Sequence, residues 1–255
     1  WRPCSYPSTL TGVKPGYNKN FVWNSALDIG GHETYKLRLT PLNSHNGLAS
    51  ETELFALNNI AFVAKHSFQL SSKSSLAWGD YDGDGDLDLA IAGYNGTSQI
   101  SRIYRNEDGS FIDIEAGLLG CESCSLAWGD YDGDADLDLA IAGYNGQNGI
   151  SIFTIYKNED GSFTDIEAGF PGFQNCSLAW GDYDGDGDLD LAIAGSSTSG
   201  ATSSIYRNDG GSFNEHGAGL QGVTNASLAW GDYDGDGDLD LALCGGQGGW
   251  NRVSM

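Results

Sequence analysis

Positive charge is what this chain has least of. Only 12 Lys and Arg stand against 35 Asp and Glu in 255 residues, a formal net charge of −23. Without a basic patch there is nothing to hold a phosphate backbone, which excludes nucleic acid as a partner. Proline is also scarce, at 5 residues against 38 Gly. No apolar run approaches the roughly 18 residues that a membrane-spanning helix needs. The only Met is residue 255 and the chain opens on Trp1, which reads as a processed chain. No nucleophile elbow, phosphate loop or His-Glu zinc helix occurs. His32, His45, His66 and His216 share no common position and have no partner set. Five Cys (Cys4, Cys121, Cys124, Cys176 and Cys244) leave at least one without an intrachain mate. Cys121 and Cys124 form a lone C-x-x-C; a zinc site needs a second pair or His partners, so structural or disulfide cysteines are expected.

The acidic charge is not spread out. Four loops of the type GDYDGDGDLD hold five Asp each, twenty of the 35 acids, leaving 15 against the 12 bases. Such clusters repel themselves unless a cation sits among them. The loops belong to a longer repeat. SLAWGDYDGDGDLDLAIAG starts at Ser75 and returns, with small changes, at Ser125, Ser177 and Ser227; its Trp falls at Trp78, Trp128, Trp180 and Trp230. A second piece follows each of the first three, as IYRNEDGSFIDIEAGL from Ile103, IYKNEDGSFTDIEAGF from Ile155 and IYRNDGGSFNEHGAGL from Ile205.

Each repeat reads as four short strands: SLAW, LDLAIAG, a third around Ile103-Tyr104 and a fourth over Ser110–Ile114 after the turn Glu107-Asp108-Gly109. Alternation and Gly/Asn/Asp punctuation support strands over helices. Four strands in about 50 residues is the pattern of a propeller blade. The expected fold is therefore all-β, with a propeller-type repeat region over residues 51–255 and an N-terminal β extension or extra blade over residues 1–50. There, Phe21-Val22-Trp23 and Tyr35-Lys36-Leu37-Arg38-Leu39 read as strands. The fourth Asp segment runs into Gly245-Gly246-Gln247-Gly248-Gly249-Trp250 without its IYRN…SF half, and Leu54-Phe55 with Phe62 or Phe68 resembles that half. A split terminal blade is expected, closed by strand pairing within the chain or onto the next chain, since unpaired edges recruit strands.

In the first loop, oxygens at alternate positions, Asp80, Asp82 and Asp84, wrap one side of a hard cation; Gly85 permits the sharp turn, Asp86 offers its carbonyl, and Asp88 closes the site. This is the front half of an EF-hand loop, but position 12 is Ile91, inside a strand, so the loop sits in a β-hairpin. The same reading gives Asp130, Asp132, Asp134, Asp136 and Asp138 in the second loop, and Asp182, Asp184, Asp186, Asp188 and Asp190 in the third. The fourth has Asp232, Asp234, Asp236, Asp238 and Asp240. About four calcium ions are expected, and paired carboxylates are better explained by them than by acid–base catalysis. The second loop has Ala135 in place of Gly and is expected to be the weakest. The four Trp are expected to pack between blades, and Tyr81, Tyr131, Tyr183 and Tyr233 beside the loops. Asn95, Asn175 and Asn225 head N-glycosylation acceptor triplets.

The AWGDYDGDGDLDLAIAG cores, recurring four times in register from Leu76, closely resemble the FG-GAP/VCBS repeats, the calcium-binding blades of integrin alpha-chain heads and of many secreted microbial proteins. The resemblance implies a β-propeller, placement outside the cell, and a role in adhesion, ligand binding or surface architecture. Members commonly have seven blades; this sequence has material for four or five. The expected protein is a non-enzymatic, extracellular or cell-surface, calcium-binding structural or adhesive protein, self-associating head to tail or binding a cell-surface or glycan ligand. The alternative is a calcium-dependent lectin.

Overall fold

A computed structural model describes residues 72–246 with their side chains, and Ser67, Phe68 and Leu70 ahead of them; elsewhere it describes only Gln247 and a few short strands by their backbone. The chain forms two compact units, Trp1–Phe68 and Gln69–Met255.

In the first unit, β1 (Glu33–Tyr35), β2 (Arg38–Leu39), β3 (Ser50–Glu51) and β4 (Phe55–Leu57) pair antiparallel, β1 with β4 and β2 with β3. The strand expected over Tyr35–Leu39 is thus β2 and the end of β1; Phe21-Val22-Trp23 lies outside the described residues. The boundary expected between residues 50 and 51 falls inside β3, where Leu39 faces Ser50 and Arg38 faces Glu51. Phe55 of β4, expected to complete a split repeat, faces Tyr35 of β1 instead.

The second unit carries the repeats, and no helix occurs among its described residues. Repeat 1 is a four-stranded antiparallel meander: β5 (Ser72–Gly79), β6 (Asp88–Tyr94), β7 (Gln99–Glu107) and β8 (Ser110–Asp113). Repeat 2 repeats it with β9 (Glu122–Gly129), β10 (Asp138–Asn145), β11 (Ile150–Glu159) and β12 (Ser162–Asp165). Repeat 3 does so with β13 (Phe173–Gly181), β14 (Asp190–Ser197), β15 (Gly200–Asp209) and β16 (Ser212–His216). One pairing, Ile152 with Phe173, links repeats 2 and 3 into a continuous sheet.

Repeat 4 departs from the expectation. After β17 (Thr224–Gly231) and β18 (Asp240–Gln247) comes a third strand, β19 (Trp250–Ser254), paired antiparallel with β18. Cys244 faces Val253 as Ala92 faces Ser101 in repeat 1. The tail therefore holds the third-strand place that residues 52–70 were expected to fill. The sequence WNRVS shares no residue pattern with the IYRN strands, so the repeat signature is blind to it.

The DLAIA strand builds the core through its two-residue period. Its Leu and Ile face the preceding repeat and its Ala faces the following one. Ala90 and Ala92 pack with Leu139 and Ile141; Ala140 and Ala142 pack with Leu191 and Ile193; Ala192 and Ala194 pack with Leu243. Small residues opposite large ones let consecutive sheets close face to face, and each fully buried Leu or Ile contributes about 1.5–3 kcal/mol.

The Trp residues lock these joints from the loop end. Trp128 Nε1 donates to the Ala77 carbonyl, Trp180 to Ala127 and Trp230 to Ala179, each at 3.2 Å. Each ring lies on the Gly two residues after that Ala. A Cβ on Gly79, Gly129 or Gly181 would come within 2.8, 2.7 or 2.6 Å of the ring, so only Gly fits. Tyr81 stacks on Trp128, and Tyr183 on Trp230, with centroids 6.2 Å apart. The expected packing of Trp between repeats is thus seen at all three joints.

Candidate metal centre

Each Asp loop joins the first strand of a repeat to the second, and its chain reversal is held by its own carboxylates. The position-1 Asp accepts, through Oδ2, the amide of position 6: Gly85 to Asp80 at 3.0 Å, Ala135 to Asp130 at 3.0 Å, Gly187 to Asp182 and Gly237 to Asp232 at 3.1 Å. That turn requires positive φ, which is 95°, 96° and 100° at the three Gly and 77° at Ala135. A Cβ on any of these Gly would meet no atom within 4 Å. The cost at Ala135 is therefore conformational alone, about 1–2 kcal/mol. Ala135→Gly is expected to raise the thermal midpoint by about 2–4 °C, following roughly 1 kcal/mol of relieved strain. A midpoint that does not move would remove the strain account.

The position-9 Asp anchors the loop to the sheet. Asp88, Asp138 and Asp190 have no exposed surface. Asp88 accepts the amides of Tyr81 at 3.1 Å and Asn106 at 2.8 Å; Asp138 accepts those of Tyr131 and Asn158, and Asp190 those of Tyr183 and Asn208. Asp240 accepts the amide of Tyr233. Burial raises the carboxyl pKa of Asp88 and Asp190, and lifts Asp138 from 3.8 to about 7. The causes beyond desolvation include the neighbouring carboxylates of positions 3 and 5, which raise it further, while the two backbone amides lower it.

The structure brings positions 1, 3 and 9 together in every loop. Asp80, Asp82 and Asp88 have carboxylate oxygens within 4.8 Å of one another, and so do the trios Asp130-Asp132-Asp138, Asp182-Asp184-Asp190 and Asp232-Asp234-Asp240. Positions 5 and 7 lie outside the trios. Asp84, Asp134, Asp186 and Asp236 accept the amide two residues on, at 2.8–3.0 Å from donor to acceptor. Asp86 and Asp188 turn their side chains to the amides of Asp108 and Gly210 in the third-to-fourth strand turn.

The trios fit a hard cation. All donors are oxygens, and ligands at 2.3–2.6 Å from one calcium ion lie at most about 5 Å apart. Asp80 Oδ1 and Asp132 Oδ1 are buried without a hydrogen-bond partner, a costly state for a carboxylate oxygen unless a cation meets it. Calcium bound here would be held by positions 1, 3 and 9, and would add positive charge among the crowded carboxylates.

Two sets of residues about the loops escaped sequence reasoning. Lys157 Nζ lies 2.7 Å from Asp132 and 3.4 Å from Asp134, and Arg207 reaches Asp184 at 3.0 Å and Asp186 at 3.2 Å. A third-strand cation thus offsets the position-3 and position-5 carboxylates of loops 2 and 3, the first of which belongs to the trio. The recurring R/K of IYRN is the signal that could have shown it. The second set is the Asn that follows that cation. Asn158 and Asn208 are fully buried. Asn158 Nδ2 donates to the Leu137 carbonyl of its own loop at 3.2 Å and to the Tyr81 carbonyl of the preceding loop at 2.9 Å. Asn208 does the same to Leu189 at 3.2 Å and Tyr131 at 2.6 Å. One side chain thereby ties two consecutive Asp loops together.

The FG-GAP-like repeat matches the chain over residues 80–141, 130–193 and 182–243, each match running from one Asp loop into the strand beyond the next. The chain belongs to the FG-GAP-like repeat family. The FG-GAP-like matches together cover more than half of the sequence and include all four trios. No curated protein matches the chain.

In the calcium-free FG-GAP-like repeats the pKa of Asp138 sets the sign of the pH dependence. The folded chain holds a proton on Asp138 up to about pH 7, where the unfolded chain has lost it near pH 4. Folded therefore binds more protons than unfolded across that window, and metal-free stability falls as pH rises through it. Calcium held by the trio would need the deprotonated carboxylates, so the stabilisation it supplied would fade as pH falls. Melting from pH 5 to 8 is expected to slope downward in EDTA and upward in calcium. Parallel slopes would contradict the shared use of Asp138.

Proposed function

We propose that this is an extracellular, non-enzymatic structural or adhesive protein, whose FG-GAP-like repeats are propeller-type blades stiffened by about four calcium ions. The observation that carries the reading is the fourfold trio of positions 1, 3 and 9. Unpartnered buried oxygens on Asp80 and Asp132 support it. In the first three loops the ion would tie the hairpin of one repeat at the place where the Trp of the next repeat docks on it, so calcium would act on joint stiffness rather than on chemistry. Family membership supports placement outside the cell, and no helix of the described residues is long and apolar enough to cross a membrane.

The glycosylation acceptors fit that placement. Asn175 and Asn225 stand exposed at first-strand bulges with φ near 50°, and Asn95 caps a turn. Asn takes the left-handed conformation more readily than most residues, so both bulge positions favour Asn with or without a glycan.

Self-association or a surface ligand is the partner this reading proposes. A glycan array probed in calcium and in EDTA separates it from the lectin alternative. The structural reading expects no calcium-dependent glycan binding; strong binding abolished by EDTA would replace it with the lectin.

A further inference from the structure

Repeat 2 gathers two thiols at a place where a strand would keep them apart. In a regular strand, residues three apart point to opposite faces and stand about 10 Å from each other. A disulfide needs Cα atoms within about 7 Å. Cys121 and Cys124 escape that limit because the start of β9 is bulged. Its register passes from Ser125 against Ala142 to Glu122 against Tyr144, so three steps on β9 match two on β10. Ser123, inside the bulge, has a φ of 51°, in the left-handed region.

The bulge belongs to every repeat, but the pair of sulfurs belongs to repeat 2. All four first strands make the same register jump, with Lys73, Ser123, Asn175 and Asn225 at φ of 49–51°. The residues flanking it turn onto one Gly of the second strand. A Cβ on Gly93 would meet Ser74, one on Gly195 would meet Cys176, and one on Gly245 would meet Val223. In repeat 2 both flanks converge. A Cβ on Gly143 would lie 2.6 Å from Cys124 Cβ, 3.0 Å from Cys121 Cβ and 3.1 Å from Cys121 Sγ. Disulfide Cβ atoms stand about 3.5–4.5 Å apart, a spacing that suits two atoms crowding a single point.

The two thiols already interact. Cys124 Sγ lies 3.9 Å from the Cys121 carbonyl. A hydrogen bond between the thiols lowers the pKa of Cys121 and raises that of Cys124, so the pair gives up its first proton more readily than its second. Cys121 is fully buried where it pairs with Ile100 of repeat 1, with Sγ 3.6 Å from Ser101 Oγ. Cys124 is half-buried, which leaves one member of the pair open to a reagent. The other described cysteines are placed differently. Cys176 is buried against the Ala142 carbonyl at 3.6 Å, and burial pushes its thiol up to about 12. Cys244 stands exposed on β18.

We propose that Cys121 and Cys124 form a redox site, oxidised to an intramolecular disulfide by a low-molecular-weight disulfide such as glutathione disulfide. One thiolate of the pair attacks a sulfur of the reagent, releases one glutathione and leaves a mixed disulfide. The other thiolate attacks the protein sulfur of that bond, closes Cys121 to Cys124 and releases the second glutathione. Two protein thiols are oxidised, one reagent disulfide is reduced, and the two thiol protons end on the two glutathiones. The bond would clamp the bulge where repeat 2 meets Ile100 and Ser101 of repeat 1. The site rests on neither calcium nor placement outside the cell, so its failure would leave the structural reading standing.

The full chain in calcium is equilibrated with glutathione over a range of oxidised-to-reduced ratios, quenched in acid, unfolded, alkylated and digested with trypsin. The peptide Asn106–Lys157 carries only Cys121 and Cys124, and Asn158–Arg207 only Cys176. As the ratio rises, the first peptide is expected to lose both alkyl groups and the mass of two hydrogens, while Cys176 stays alkylated throughout. Cys124→Ser, which puts there the residue type that repeat 1 has at Ser74, should leave Cys121 alkylated at every ratio. Two alkyl groups retained on the first peptide of the wild type at the most oxidising ratio overturn the proposal. So does a disulfide between the two peptides, or a glutathione adduct on Cys124 that never resolves. The wild type alone yields each of these outcomes, so the test holds even if the variant fails to fold.

Discussion

Chelation is expected to lower the thermal midpoint of this protein by about 15 °C or more. A ligand bound only by the folded state stabilises it by RT ln(1 + [L]/Kd). Extracellular sites of this class bind calcium at roughly 10⁻⁴–10⁻³ M, so millimolar calcium some ten- to a hundredfold above Kd gives about 1.4–2.7 kcal/mol per site. Four sites on one cooperative stack reach roughly 6–11 kcal/mol. For a domain of this size each kcal/mol moves the midpoint by about 2–4 °C. The physical source is the crowding of positions 1, 3 and 9 within 4.8 Å in each loop. Differential scanning calorimetry in calcium and in EDTA checks it. Coincident transitions would mean that the loops fold as metal-free acidic turns.

Asn158→Ala is expected to cost about 3 kcal/mol or more. The side chain is fully buried and makes three bonds: to the Leu137 and Tyr81 carbonyls and from the Gly161 amide, the last at 2.8 Å. Truncation leaves two carbonyls and one amide with no partner in a dry joint, at about 1–3 kcal/mol for each group. Asn106→Ala is the control. Asn106 bonds the Leu87 carbonyl and the Gly109 amide of its own repeat and is only half-buried, so its loss should be distinctly smaller. Urea unfolding of the two variants decides this; equal costs would show that the tie between loops contributes nothing.

The strands of repeats 1 to 3 were legible because their pattern is local. LDLAIAG alternates over seven residues, and EDG marks the turn before Ser110-Phe111. The trios were legible in part. Alternate Asp residues announce an oxygen site, but which carboxylates converge depends on the turn, which brings positions 1, 3 and 9 together. Asn158 was hidden because it reads as a turn residue in KNEDG, while its decisive partner, the Tyr81 carbonyl, lies 77 residues away. Lys157 and Arg207 were hidden for the same reason: their neighbours on the sheet come from the loop of another strand pair. β19 lacked any signal, and the boundary at residue 50 was set by where the repeat pattern fades, whereas β3, which contains it, pairs with β2.

The count of bound calcium, loop by loop, tests the central claim most directly. Equilibrium dialysis with radioactive calcium on the full chain is compared with the single variants Asp80→Asn, Asp130→Asn, Asp182→Asn and Asp232→Asn. Each substitution removes one position-1 charge and leaves an oxygen to accept the position-6 amide, so the turn is kept. Four ions bound by the wild type and about three by each variant is the predicted result. No bound calcium in the wild type, or four ions retained in every variant, would contradict the assignment of the trios.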